Sequence, residues 1–168
     1  MKKGLLFLVL LSLCFSAFSQ EIEKAQSNGR NEIKLNLLMT LFSFPDINYE
    51  RIMSNSIGLG LSAAFPLEKN DTEYRIMPYC RLYFGESWIK SFFIEANVAV
   101  LGCREYYNYS SYNQSYKTRT VSDIGLGLAF GYKYVNRNGY IGELFLGLGR
   151  TLEDRYYPRC GISVGKQF

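Results

Sequence analysis

Charged side chains at alternate positions, four widely spaced cysteines and a run of tyrosines are the groups in this 168-residue chain that could do chemistry. Arg75, Arg81, Glu95, Asn97, Asp123, Lys133, Glu143 and Arg159 carry both signs of charge. Gathered on one face of a sheet, they would pair as a polar network rather than catalyse. His is absent from the whole chain. That removes the commonest general base and the commonest zinc ligand, so a His-dependent hydrolase or transferase cannot be built from this chain alone. Gly125-Leu126-Gly127 with Gly131 faintly matches a nucleotide-binding fingerprint. The flanking alternation runs straight through it and no helix follows, so a phosphate loop is rejected. With Cys14 removed in the N-terminal signal segment, Cys80, Cys103 and Cys160 are odd in number and have no C-x-x-C spacing. They read as small space-fillers, neither a disulfide framework nor a metal site. No catalytic, cofactor-binding or metal-binding residue is assigned, and no cofactor is expected.

Period two is what places these groups. Ile33, Leu35, Leu37, Met39 and Leu41 share one face of a first strand, opposite Lys34, Asn36, Leu38 and Thr40, and Pro45-Asp46 ends it. Ile47 and Tyr49 oppose Asn48 and Glu50, and the alternation fails at Arg51-Ile52, which predicts a bulge or an early end. Six further strands follow, on Ile57–Phe65, Tyr74–Phe84, Phe92–Val100, Asp123–Tyr134, Glu143–Gly149 and Arg159–Phe168. Pro78 cannot donate to a ladder, so a local distortion is predicted there. Strands of about 9–11 residues suffice to span a membrane when tilted. The expected class is therefore all-β: an eight-stranded antiparallel up-and-down transmembrane β-barrel with a filled polar, glycine-rich interior.

Inside and outside follow from side-chain size. One face carries Gly58, Gly60, Gly125, Gly127, Gly131, Gly147, Gly149, Gly161 and Gly165 together with the charges. Exposed, these glycines would weaken the sheet; turned inward, they make room for long side chains from the fourth and fifth strands. The other face is nearly continuous Leu, Ile, Val, Phe and Tyr, and needs lipid around it. Short turns at Ser54, Gly85 and Asn136 lie at one end and long segments near Asp71, Tyr107 and Glu153 at the other. Transmembrane barrels keep short turns periplasmic, which places both termini there.

Residues 1–19 read as a cleaved signal peptide: Lys2 and Lys3, an apolar run from Leu5 to Phe15, and Ala17-Phe18-Ser19 as the cleavage site. A lipoprotein signal acylated at Cys14 is the alternative, opposed by Leu13 where a small residue is needed. Residues 20–31 form a flexible periplasmic lead-in and residues 32–168 the barrel. After cleavage, 17 basic residues face 15 acidic ones, too weak an excess to argue for nucleic acid.

This layout resembles the eight-stranded OmpA/OmpX-like outer-membrane barrels from about Glu32 to Phe168. Asn31-Glu32-Ile33-Lys34-Leu35-Asn36-Leu37-Leu38 with Phe44-Pro45-Asp46-Ile47, and Phe92-Phe93-Ile94-Glu95-Ala96-Asn97, resemble motifs of a Bacteroidetes outer-membrane barrel family of unknown function. The resemblance implies fold, an outer-membrane location in a Gram-negative bacterium and handling by the barrel assembly machinery. Phe168, with Val164 and Ile162 at alternate positions, resembles the C-terminal assembly signal; Lys166 departs from that pattern and would snorkel.

A structural or interaction barrel, monomeric and without catalysis, is the expected function. Tyr106, Tyr107, Tyr109, Tyr112 and Tyr116, among Ser, Asn and Gln, compose a candidate extracellular contact surface within residues 104–120. Interfacial tyrosines at the membrane surface would look the same. Arg104, Lys117, Arg119 and Arg150 are assigned to lipopolysaccharide phosphates, with solvated loop charge as the alternative. A ligand-binding barrel or adhesin using that loop is the second function, ahead of a lipid-modifying enzyme and a small pore. Lipid-modifying barrels of similar size use a His, and eight strands leave room for little beyond side chains.

Overall fold

The computed structural model describes residues 29–68, 72–85, 89–108 and 116–168, with backbone only at 105–108 and 116–118. The signal segment and residues 20–28 of the lead-in lie outside the described residues. The elements are β1 (Asn31–Asn36), α1 (Leu37–Leu41), β2 (Asp46–Ser54), β3 (Ile57–Ala64), β4 (Thr72–Phe84), β5 (Lys90–Asn108), β6 (Tyr116–Val135), β7 (Tyr140–Thr151), β8 (Tyr156–Pro158) and β9 (Gly161–Gln167). All neighbours pair antiparallel, and β1 pairs with both β2 and β9, so the sheet closes into a barrel.

The barrel has eight strand positions although nine segments line it. β8 and β9 both pair with β7 in one register, Leu148↔Pro158 continuing as Phe145↔Gly161. Arg159 N donates to the Gly147 carbonyl at 3.0 Å across the gap. The last strand is thus one rail, nicked where Pro158 and its neighbours leave regular geometry. At the seam, Phe168 N donates to Asn31 O at 2.9 Å and Asn31 N to Phe168 O at 3.1 Å.

Two local expectations are corrected. The first strand stops at Asn36 rather than reaching Leu41. Asn36 caps a single helical turn, its side chain accepting from Met39 N at 3.3 Å. An Asn cap competes well with strand pairing because it satisfies an otherwise orphaned amide. Second, alternation does not fail at Arg51: Arg51 stays outward and Ile52 inward, and the irregularity falls later, between Ile52 and Ser54. The distortion predicted at Pro78 is present on one side. β3 pairs with it at Leu61, whereas the β4–β5 ladder skips from Ile76↔Val100 to Tyr79↔Asn97.

Inward glycines meet large side chains. A Cβ on Gly60 would collide with the Tyr79 ring, and one on Gly149 or Gly125 with Tyr157. Tyr79 lies on β4 as expected, but Tyr157 comes from β8. The wall outside is apolar, with Leu126, Leu128, Leu144, Leu146 and Leu148 all more than half exposed.

Candidate functional site in the barrel interior and mouth

The interior is layered along the barrel axis. At the short-turn end Ile52, Tyr83, Phe93, Val135, Ile141 and Phe145 pack as an apolar cluster. Toward the long-loop end a second cluster joins Met77, Ala99, Leu101 and Tyr157. Charge fills the middle, because the inward positions of β1, β2, β4, β5, β6, β7 and the β8–β9 rail converge there.

Lys34 Nζ lies 2.5 Å from Glu50, 2.6 Å from Glu143 and 3.2 Å from Glu32. Arg81 reaches Glu50, Glu95 and Glu143, each at 2.9 Å. Its guanidinium also stacks 4.2 Å from the Phe93 ring centroid. Arg159 bonds Glu95 at 2.8 Å, Asp46 at 3.1 Å and the Asn48 carbonyl oxygen at 3.1 Å. Lys133 sits 2.7 Å from Glu32 and donates to Tyr83 Oη at 3.0 Å. Arg75 pairs with Asp46 at 3.2 Å. Tyr83 donates to Glu50, Ser62 to Asp46, and Tyr157 to Asn97 Oδ1 at 2.9 Å. Five cations (Lys34, Arg75, Arg81, Lys133, Arg159) therefore meet five carboxylates (Glu32, Asp46, Glu50, Glu95, Glu143), and all ten are buried. Matched numbers are what a charge cluster withdrawn from water requires, since an unpaired buried ion costs several kcal/mol, of order 3–5.

Of the residues assigned to this network from sequence, Arg75, Arg81, Glu95, Asn97, Lys133, Glu143 and Arg159 come together. Asp123 does not: it is buried, but its Oδ2 has no hydrogen-bond partner. On β6 it lies opposite Leu101, which on its other edge pairs with Arg75. Glu32, Lys34, Asp46, Asn48 and Glu50 belong to the network and were not assigned to it. Their signal was the same parity, carried by the first two strands.

Glu32, Glu50 and Glu143 place carboxylate oxygens within 4.8 Å of one another, a spacing that could suit a cation. Lys34 Nζ already lies among them, so the donor set serves an ammonium group of the chain itself.

At the long-loop end, Glu73 accepts from Thr120 Oγ1 at 2.6 Å and from Arg104 Nη2 at 2.7 Å, tying β4, β5 and β6 together. Arg104 is among the residues lining a cavity at this end of the barrel. Arg119 is exposed, and the Lys117 side chain lies outside the described residues. Arg150 points outward above Leu148, pairs with Asp154 at 2.7 Å and lies 5.7 Å from the Tyr156 ring centroid. The β5–β6 ribbon continues past its neighbours: β4 last pairs at Cys103 and β7 at Gly125, while β5 and β6 remain paired to Asn108↔Tyr116. Tyr106, Tyr107 and Tyr116 lie on this ribbon. Their side chains, and all of Tyr109 and Tyr112, are outside the described residues. Among the described residues, Cys80, Cys103 and Cys160 are unbridged and half-buried.

A family model described as "protein of unknown function (DUF3575)" matches residues 5–167. The chain belongs to this DUF3575 family. No curated protein matches it. Among solved structures, the N-terminal β-barrel domain of Pseudomonas aeruginosa OprF is similar. Its TM-score is 0.57 at 16% identity, over 82% of this chain and 96% of that one. Neisserial surface protein A is also similar, with a TM-score of 0.49 at 11% identity, over 82% and 93% of the two chains. The OprF match gives this DUF3575 protein the fold of an outer-membrane barrel.

Proposed function

We propose that this DUF3575 protein is a filled structural and interaction barrel of a Gram-negative outer membrane. It would be exported through a cleaved signal peptide, folded by the barrel assembly machinery and work as a monomer without catalysis. The carrying observation is the inverted arrangement of side chains. Ten charged groups are buried in the centre while rows of leucines stand exposed on the wall. In water that wall would be a large apolar patch; in lipid it is the favourable face. The protruding β5–β6 ribbon supports an outward-facing contact role for the Tyr-rich segment. Heat-modifiability tests the barrel reading: membrane-extracted protein should migrate differently on a denaturing gel before and after boiling. Recovery in the soluble fraction would refute it.

A second role is favoured by the wall itself. A depression of about 930 Å³ crosses the outer face beneath Arg150, with Pro78, Cys80 and Ala96 as its small-residue floor and Leu59, Leu126 and Leu148 among its sides. We propose that an acyl chain of lipopolysaccharide lies along this apolar trough, with one of its phosphates paired to Arg150. Arg150→Glu is expected to lower the lipopolysaccharide that co-purifies with the barrel; an unchanged amount would count against the contact.

A further inference from the structure

Above the second apolar cluster, packing stops short of filling the barrel. A cavity of about 680 Å³ opens at the long-loop end, a volume typical of small-molecule sites. Its lining divides by chemistry. Phe42, Phe44 and Leu101 offer apolar surface, and three arginines, Arg75, Arg104 and Arg155, also line it.

Arg75 is the telling residue, being only 3% exposed. Its Nη1 donates to the Pro158 carbonyl and its Nη2 to Asp46 Oδ2, both at 3.2 Å, while its Nε has no partner. Nε is sealed from the cavity, but Nη1 and Nη2 each carry a second N–H that a ligand acceptor can take. The Phe44 ring lies 5.3 Å from the guanidinium and helps fix its place. Phe42, by contrast, stands 72% exposed at the lip, an aromatic ring with most of its surface uncovered.

We propose that this mouth cavity binds an amphipathic carboxylate, with its anionic head at Arg75 and its alkyl body along Phe42, Phe44 and Leu101. The planar guanidinium matches a carboxylate in shape and charge. A single negative charge is preferred because each lining arginine already has a carboxylate: Asp46 shares Arg75, Glu73 holds Arg104 and Glu153 pairs with Arg155 at 3.3 Å. A dianionic phosphate would face those carboxylates. The apolar walls select against small hydrophilic anions, which would leave them unfilled.

Calorimetric titration of the purified full-length barrel in amphipol tests this with octanoate, 1-octanol and acetate as probes. Octanoate should bind saturably, 1-octanol about tenfold more weakly or less, and acetate without detectable heat. Arg75→Gln should weaken octanoate by about tenfold or more and leave 1-octanol unchanged. Phe42→Ser alters an exposed ring, so it should keep the folded gel mobility while weakening both octanoate and 1-octanol severalfold; it carries the test if Arg75→Gln does not fold. Equal affinity for octanoate and 1-octanol overturns the proposal. So does the absence of saturable octanoate binding, or octanoate binding that the folded variants leave unaltered. Because the measurement uses purified protein, its failure leaves the membrane assignment untouched.

Discussion

Arg81 reaches three carboxylates and stacks on Phe93, so its removal leaves Glu50, Glu95 and Glu143 short of a cation in a buried centre. Arg81→Met is expected to destabilise the folded barrel by about 3–5 kcal/mol, read as a shifted urea midpoint in lipid vesicles. Arg150→Ala removes a pair exposed at both ends and should cost no more than about 1 kcal/mol. Comparable losses for the two variants would mean the central charges are hydrated. Parity alone turned Arg81, Glu95, Glu143 and Arg159 inward from the sequence. It could not name their partners, which lie far apart along the chain, nor show that Asp123 is left outside the network. Whether an inward carboxylate finds a cation depends on how the strands are staggered around the barrel, and no single strand encodes that.

Between strands, size complementarity sets the packing. Gly60→Val would drive a branched side chain into Tyr79 and is expected to cost about 1–3 kcal/mol, with a large part recovered in the Gly60→Val/Tyr79→Ala double variant. Simple additivity of the two single losses in the unfolding midpoint would refute the contact. The glycine pattern was legible because it repeats at alternate positions on several strands. The turn of α1 was not, since Leu37, Met39 and Leu41 satisfy a two-residue period as well as a short helix does. Asn36, which caps that turn, was the available signal. Ile52 was misjudged for a related reason. At the short-turn end the interior changes from polar to apolar, so an inward aliphatic next to an outward Arg51 looks like broken alternation although the pleat is unbroken.

At the scale of the whole barrel, the wall and the filled interior make opposite demands on solvent. Leu128 points outward from the middle of β6. Leu128→Arg should destabilise the barrel in vesicles by about 2–4 kcal/mol, the depth-dependent penalty of a charge facing lipid; a neutral substitution would argue that water meets this face. Apolar packing at the short-turn end predicts negligible conductance in planar bilayers, and a large, stable conductance would overturn the filled interior. The central ion pairs also constrain time. Lys34 meets Glu143 across 109 residues, Arg159 meets Asp46 across 113, and Lys133 meets Glu32 across 101. Hairpins can pair Lys34 with Glu50 and Arg81 with Glu95, but in the N-terminal half Glu32, Asp46, Glu50 and Glu95 outnumber Lys34, Arg75 and Arg81, so that half alone would carry an unmatched carboxylate. Full pairing therefore waits for the C-terminal strands, which favours closing the barrel in one cooperative event. The folding rate should depend on these seam-crossing pairs far more than on any contact within a single hairpin.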